Sequence, residues 1–218
     1  MAAGFFVVLE GPEAAGKSSL ARALVARMQA VGVEPLLVHE PGGTAVAEAL
    51  RRELLDLARE WTPAMELLYM VTARADLVSR IIRPALREGR TVLSDRYDLS
   101  TMAYQGAGRG LPLDHVRWAN DAATAGLTAD LTLVLDVSPE LARARQTAAG
   151  KGLDRIEREA VAFHERVAAA YRAAEGPGIR HLDANRSPAA VAADAWSALT
   201  AARPQLFPAP AAPPARSA

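Results

Sequence analysis

The 218-residue chain contains no cysteine, which removes disulfides and thiolate metal sites from consideration. It carries no excess of charge: 25 Lys and Arg balance 25 Asp and Glu, so nothing in the composition favours nucleic acid or an anionic membrane as a partner. Long apolar runs are missing. The N-terminal one, Phe5-Phe6-Val7-Val8-Leu9, meets Glu10 and a glycine-rich stretch at once. It is too short for a membrane span and does not read as a signal peptide or anchor, so a cytoplasmic protein is expected. The four histidines lack metal-ligand spacing and read as structural or surface residues. There is no internal repeat, and no N-K-x-D element such as a guanine-specific switch would need. What is present is a half-hydrophobic chain of a length that suits one domain with a proper core.

Residues Gly11 to Ser18 read GPEAAGKS and fit the pattern G-x-x-x-x-G-K-[S/T], in which a glycine-rich turn aims successive backbone N–H groups at nucleotide phosphates. Such a match arises by accident in about one chain in a hundred of this length. Context makes accident rarer still. A buried-strand run precedes the loop, and Leu20, Leu24, Met28 and Val31 follow it at helical spacing. Strand, loop, helix is the order the chemistry needs, because a helix N-terminus adds orphan N–H groups and its dipole to the anion site. Gly11, Pro12, Glu13, Ala14, Ala15, Gly16, Lys17, Ser18 and Ser19 therefore form the candidate phosphate-binding segment. Lys17 would reach the β- and γ-phosphates, and the Ser18 hydroxyl would hold Mg²⁺.

Short apolar runs alternate with longer helical patterns. Strands are expected at 5–9, 35–39, 91–94, 131–136 and 179–183. Val46, Leu50, Leu54 and Leu57 mark one helix; Ile156, Phe163, Val167, Tyr171 and Ala174 mark another. Thr62-Pro63, Ser138-Pro139 and Ser187-Pro188 each pair a hydroxyl cap with proline at the first helical position. Pro84 should end or kink the long helix begun at Pro63, with Gly89 as its C-terminal stop. The rhythm predicts an α/β fold, a doubly wound parallel sheet flanked by helices on both faces. The domain is expected over 1–202, and the proline- and alanine-rich stretch 203–218 reads as an unstructured tail. In such a fold functional residues gather at the carboxyl ends of the strands. The polar clusters His39–Thr44, Ser94–Thr101 and the Arg-rich segment 143–157 all follow predicted strands. Glu10 and Asp95 end apolar strands near the loop, where either suits Mg²⁺ positioning. Glu10 fits equally a strand-end carboxylate bonded to backbone N–H groups.

The segments LEGPEAAGKSSL, HEPGGT, SDRYDLSTMAYQGAGRGL and LDRIERE, in this order and at these separations, resemble the bacterial thymidylate kinases over roughly residues 5–200. The resemblance implies a P-loop kinase fold with a small lid at about 143–156, ATP as phosphoryl donor, Mg²⁺, dTMP as acceptor, and a homodimer. Two rivals remain: a kinase for another pyrimidine nucleotide or nucleoside, against which the acceptor block argues, and a non-kinase nucleotide-dependent switch.

The acceptor phosphate has a second pKa of about 6 and is already mostly a dianion at neutral pH. No general base is needed; cations and positioning carry the reaction. By resemblance, Arg96 and Arg74 hold the acceptor phosphate, and Glu13 and Asp95 lie beside it. Thr101 and Gln105 correspond to residues near the thymine edge, Tyr104 to one beside the deoxyribose, and Ser100 belongs to the same block. Without the resemblance, Arg74 reads as a solvated helix arginine; for Tyr104, helix packing is the alternative to a site role. The P-loop has no arginine between its glycines, a version associated in the family with arginine supplied from the lid. Arg143, Arg145, Lys151 and Arg155 are the candidates, with Arg143 and Arg155 preferred. Two residues depart from the family pattern: Met70 stands where Phe is frequent, and His39 where Arg often precedes Glu-Pro-Gly-Gly-Thr. Gly106, Gly108 and Gly110 read as a tight loop.

Overall fold

The computed structural model describes residues 4–150 and 152–209. Its centre is one sheet of five parallel strands, β1 (Phe5–Glu10), β2 (Leu36–His39), β3 (Thr91–Asp95), β4 (Leu131–Asp136) and β5 (Ile179–Asp183), in the order β2-β3-β1-β4-β5. Each lies within a residue of the apolar run that predicted it. β1 is buried along its whole length, as a central parallel strand with both faces covered must be. Its side chains alternate between two cores, following the strand's period of two. Phe5, Val7 and Leu9 pack with Leu20, Leu24 and Met28 of α1 (Lys17–Ala30) and with Trp196 and Leu199 of α9 (Pro188–Ala202). Phe6 and Val8 face the other way, meeting Leu77 at the end of α3 (Pro63–Leu77) and Val78 and Ile82 in a π-helical turn, Val78–Ile82. The fold is the expected doubly wound α/β architecture.

The three hydroxyl–proline pairs all start helices. Thr62, Ser138 and Ser187 accept bonds from the N–H groups of Met65, Leu141 and Ala190, opening α3, α7 (Pro139–Ala149) and α9. Pro84 lies in the short α4 (Arg83–Arg87), just after the π turn. That wider turn is where the chain adjusts to a residue with no N–H to donate. The remaining helices are α2 (Ala45–Leu55), α5 (Asp98–Thr101), α6 (Leu113–Thr124) and α8 (Val161–Arg172). Leu57 lies beyond the end of α2 and is exposed, while Ile156 precedes α8 and is nevertheless buried. No helix among the described residues is long and apolar enough to cross a membrane.

Two expectations need correction. Gly106 and Gly108 do not form a loop; they lie in a π-helical segment, Met102–Gly108, that continues α5. A Cβ at Gly108 would sit 2.6 Å from the Phe163 ring, so glycine is what lets α8 close against this segment. Gly110, with φ 77°, makes the turn. The second correction concerns the tail. Phe207 is fully buried, with its ring centroid 5.8 Å from Phe5 and 5.6 Å from Trp196. The Trp196 indole N–H donates to the Pro208 carbonyl at 3.0 Å, and the Arg203 guanidinium lies over Phe5. One aromatic anchor in a proline-rich stretch is enough to seat it against the sheet; residues 210–218 lie outside the described region. Phe207→Ala should lower the free energy of unfolding by about 3–5 kcal/mol in urea titration, the range for truncating a buried aromatic.

Candidate functional site

The loop at Gly11–Gly16 emerges from β1, between β3 and β4, at the carboxyl edge of the sheet. Gly11 has φ 135°, and a Cβ there would lie 2.7 Å from the Leu135 carbonyl oxygen of β4. Ala14 and Gly16 have φ of 56° and 103°, the left-handed turns that gather backbone N–H groups into an anion-binding concavity. No side chain caps the start of α1, which leaves its first N–H groups for an anion. Lys17 is buried, and its ammonium donates to the carbonyls of Gly11 and Pro12 at 2.9 and 2.8 Å. Burial first, then the Arg96 charge, push its pKa down to about 8. At the next residue, the Ser18 hydroxyl donates to Asp95 Oδ2 at 3.0 Å.

Arg96 follows β3 with φ 77°, a strained backbone for a residue with a Cβ. Its N–H bonds the Leu9 carbonyl at 2.9 Å, and the Ser94 hydroxyl donates to its carbonyl at 2.7 Å, which together hold the turn. The guanidinium is thereby thrown across the P-loop. It donates to the Gly11 carbonyl, the Ser100 and Tyr171 hydroxyls, the Tyr104 hydroxyl and the Glu13 carboxylate. Tyr104 in turn donates to Glu13 at 2.7 Å. Although burial opposes it, the Arg96 and Lys17 charges hold Glu13 at about 2, fully ionised. Glu10 is fully buried and accepts from the Tyr97 and Ser100 N–H groups and the Ser100 and Tyr171 hydroxyls. Of its two readings, the structure selects the strand-end carboxylate.

Glu13, Lys17, Ser18, Met70, Asp95, Arg96, Ser100 and Tyr104 all line one cavity of about 790 Å³. Arg74, Thr101 and Gln105 are fully buried and are not among its lining residues. The Arg74 guanidinium donates to Glu40 Oε2 (2.7 Å), the Thr101 hydroxyl (2.7 Å), the Tyr97 carbonyl (2.8 Å) and the Asn120 side-chain oxygen. It is therefore not a solvated helix arginine; its guanidinium is engaged by protein oxygens. Burial raises Glu40 to about 7 against the pull of Arg74, whose own charge Glu40 secures. His39, read as structural or surface, stands on the cavity wall with Nε2 3.1 Å from Glu48.

The lid arginines separate. Arg143 is exposed on α7, 3.7 Å from Glu140. Arg155 turns away from the P-loop, donating to the Leu54 carbonyl (2.9 Å) and to Glu66 Oε2 (2.6 Å). Arg145 is the one that reaches the phosphate loop. It donates to the Ala14 and Ala15 carbonyls at 3.4 and 3.3 Å and to the Ala184 carbonyl at 2.9 Å. It also borders a second cavity, of about 190 Å³, which Gly16, Ala184, Arg186 and Pro188 share. Lys151 lies outside the described residues. Sequence reasoning preferred Arg143 and Arg155; residues 143 and 145 lie about 200° apart around a helix, so which of them faces the loop depends on where α7 docks.

A family profile described as thymidylate kinase matches residues 9–195. A thymidylate kinase of Cereibacter sphaeroides is 47% identical over 207 residues, covering 91% of this chain and 95% of that protein. Others, from a Synechococcus species and Deinococcus radiodurans, are 45% and 41% identical over 195 and 203 residues, covering 88% and 92% of this chain and 92% and 98% of theirs. The chain belongs to the thymidylate kinase family. Membership in that family accounts for the P-loop and the block around Arg96 standing together at one cavity.

The buried Arg74–Glu40 pair gives a direct test of this geometry. Arg74→Met should destabilise the protein by about 3–5 kcal/mol, the cost of stranding one member of a buried pair. Adding Glu40→Gln should recover part of that loss in the same chemical-unfolding assay.

Proposed function

We propose that the protein transfers the γ-phosphoryl group of ATP to dTMP, giving dTDP and ADP. The observation that carries the reading is the single cavity in which the P-loop lysine and Arg96 both face open space, with Met70 and Tyr104 on its wall. An oxygen of the dTMP phosphate attacks the γ-phosphorus, the bond from that phosphorus to the bridging oxygen breaks, and ADP leaves with the electron pair. Because the attacking phosphate is a dianion, the residues have charge to neutralise and no proton to remove. Lys17 stabilises the donor phosphates. Arg96 bridges toward the acceptor, held in aim by Glu13 and Tyr104. Arg145, between the two cavities, supplies the cation that the P-loop itself lacks, with the smaller cavity available to the donor's nucleoside.

Mg²⁺ belongs to the same proposal. Ser18 and Asp95 present hard oxygens 3.0 Å apart at the start of α1, and Mg²⁺ is held through one or two protein oxygens plus phosphates and water rather than a protein cage. No group of three His, Asp or Glu among the described residues offers such a cage. When bound, the ion would neutralise charge on the donor phosphates. The homodimer implied by resemblance finds support in exposed Met65 and Leu68 on α3 and Leu113 and Trp118 on α6, two helices packed together through Leu67, Val71, Val116 and Ala119. We infer a cytoplasmic setting, the compartment that supplies ATP.

The deciding experiment is kcat/KM for dTMP, dUMP, dCMP and AMP with ATP under one set of conditions. dTMP should lead. dUMP, one methyl smaller, should trail by about 10–200-fold, toward the lower end because Met70 forms a softer wall than an aromatic ring. AMP or dCMP outranking dTMP would end the thymidylate reading. In the same assay Arg145→Ala should cut kcat by at least ~10²-fold with little change in the KM for dTMP, whereas Arg143→Ala should stay within a few-fold of the parent. The reverse ranking would return the lid role to Arg143.

A further inference from the structure

His181 of β5 and Asp136 of β4 are diagonal neighbours on one face of the sheet, since Val134 pairs with His181 and Asp136 with Asp183. The ring's Nδ1 lies 2.8 Å from Asp136 Oδ2, and its Nε2 lies 2.8 Å from the Ala174 carbonyl, two residues past the end of α8. A carboxylate and a backbone carbonyl only accept, so both ring nitrogens donate and the ring is an imidazolium. The surroundings favour that charge. The charged groups that face the ring are Asp136 and, just beyond α8, Glu175; a cation also suits the negative end of a helix dipole. Burial lowers the pKa, but the Ala174 and Asp136 bonds and the two acidic charges outweigh it and hold the pKa above its ordinary 6.5. The side chain is 33% exposed, so its proton exchanges with solvent.

Asp136 depends on the ring in turn. Its other oxygen, Oδ1, is buried with no hydrogen-bond partner among the described residues. When the ring loses a proton, the nitrogen facing the carboxylate keeps its hydrogen, because a bond to an ionised acceptor is about twice as strong as one to a neutral acceptor. Nε2 is then left with a lone pair against the Ala174 carbonyl, and the bond to the end of α8 is lost. That end is joined to the cavity. The Ala174 N–H donates to the Tyr171 carbonyl at 3.1 Å. Tyr171 is fully buried, and its hydroxyl accepts from Arg96 Nη1 at 2.9 Å and donates to Glu10 Oε2 at 3.0 Å. A single turn of backbone and one tyrosine side chain therefore connect the His181 bond to the Arg96 guanidinium.

We propose that His181 is a positioning residue: as an imidazolium it clips the end of α8 to β4, and through Tyr171 it steadies the Arg96 guanidinium for the acceptor phosphate. Because folding raises the histidine's pKa, the clip is complete below about pH 6.5 and is lost as the pH rises through the raised value. Over that range the acceptor phosphate is already past its own second pKa of about 6. A weakening of its binding on the alkaline side therefore originates in the protein. The inference rests on the thymidylate reading above, with Arg96 turned toward the acceptor.

The test is the Kd of dTMP without ATP, by isothermal titration calorimetry from about pH 6.5 to about pH 9, in the parent, His181→Phe, His181→Lys and Tyr171→Phe, with thermal unfolding of each. Lys17, at about 8, titrates in every one of these proteins, so the differences between their profiles are what is read. At the acid end His181→Phe should bind dTMP about 2–30-fold more weakly than the parent, the range for substitutions that couple to a site without touching its ligand. The parent should lose that advantage as the pH rises. His181→Lys has donors for both oxygens and stays charged across the range, so it should keep the advantage where the parent loses it. Tyr171→Phe keeps the packing and removes the hydroxyl that Arg96 uses; its profile should be as flat as that of His181→Phe, and it decides the matter if His181→Phe does not fold. A His181→Phe protein that unfolds at a lower temperature yet binds dTMP as the parent does at every pH has lost a structural contact only, and overturns the proposal. So does a Tyr171→Phe protein whose profile is as steep as the parent's. A parent that binds no dTMP at any pH overturns the thymidylate reading instead, so the two failures are distinguishable.

Discussion

The Arg96 guanidinium, held in a strained turn at the end of β3, is the contact on which the rest of the site depends. It binds the P-loop through the Gly11 carbonyl, the α5 start through Ser100, α8 through Tyr171, and the Glu13–Tyr104 pair. Three separate stretches of chain therefore agree on where one positive charge sits. A left-handed backbone at a non-glycine residue stores strain that its surroundings must offset. Here two backbone bonds and five side-chain contacts do so. A loop that merely needed to turn would have used glycine. The geometry instead keeps the side chain and accepts the strain, which is what a preorganised cation requires.

Around this charge lies a layer of buried carboxylates, each matched to its own donors: Glu10 to backbone N–H and hydroxyl groups, Glu40 to Arg74, and Glu66 to Arg109 and Arg155. Buried pairs of this kind are poor sources of net stability, since desolvation consumes most of the attraction. Their value is directional. Charged hydrogen bonds fix side-chain orientation far more tightly than apolar packing does, and orientation is what a site needs in order to read one base and aim one phosphate. The layer lies on α3, β1 and the loop after β2. The P-loop is built instead from backbone: an uncapped helix start and left-handed turns at Ala14 and Gly16.

That division explains what could be read from the residues alone. The P-loop, the five strands and the hydroxyl–proline helix starts are local patterns whose cause lies within a few residues of their effect, so they were legible. Arg96, Asp95 and Glu13 were legible because each sits at a strand end or inside the loop. Arg74, Thr101 and Gln105 were found as members of the right neighbourhood, but their burial was not visible, because it arises from partners distant in sequence, Glu40 and Asn120 for Arg74 and Glu66 for Gln105. Glu66 was missed altogether. A lone glutamate near the start of a helix carries no periodic or motif signal; its partners are 39, 43 and 89 residues away. The arginine-plus-carboxylate count of the chain would have hinted at buried pairs but not at which ones. Phe207 was hidden by the prolines around it.

The lid residues show the same limit from another side. Arg155 is gripped by two good bonds, and its neighbour Ile156 is buried against Tyr104 and Phe163. Asp154 closes the turn by accepting from the Ile156 and Glu157 N–H groups at 2.9 Å. This stretch is part of the body of the protein. Arg145 is held differently, by two contacts of 3.3–3.4 Å to carbonyl oxygens and one of 2.9 Å. Bonds to neutral carbonyls are about half as strong as those to an ionised oxygen, so a phosphate arriving at the P-loop outcompetes them, whereas nothing neutral would draw Arg155 from Glu66. Arg145, in the middle of α7, is therefore the arginine held loosely enough to meet a phosphate under the proposed function, while Arg155 in the LDRIE segment stays tied to Glu66 and the Leu54 carbonyl.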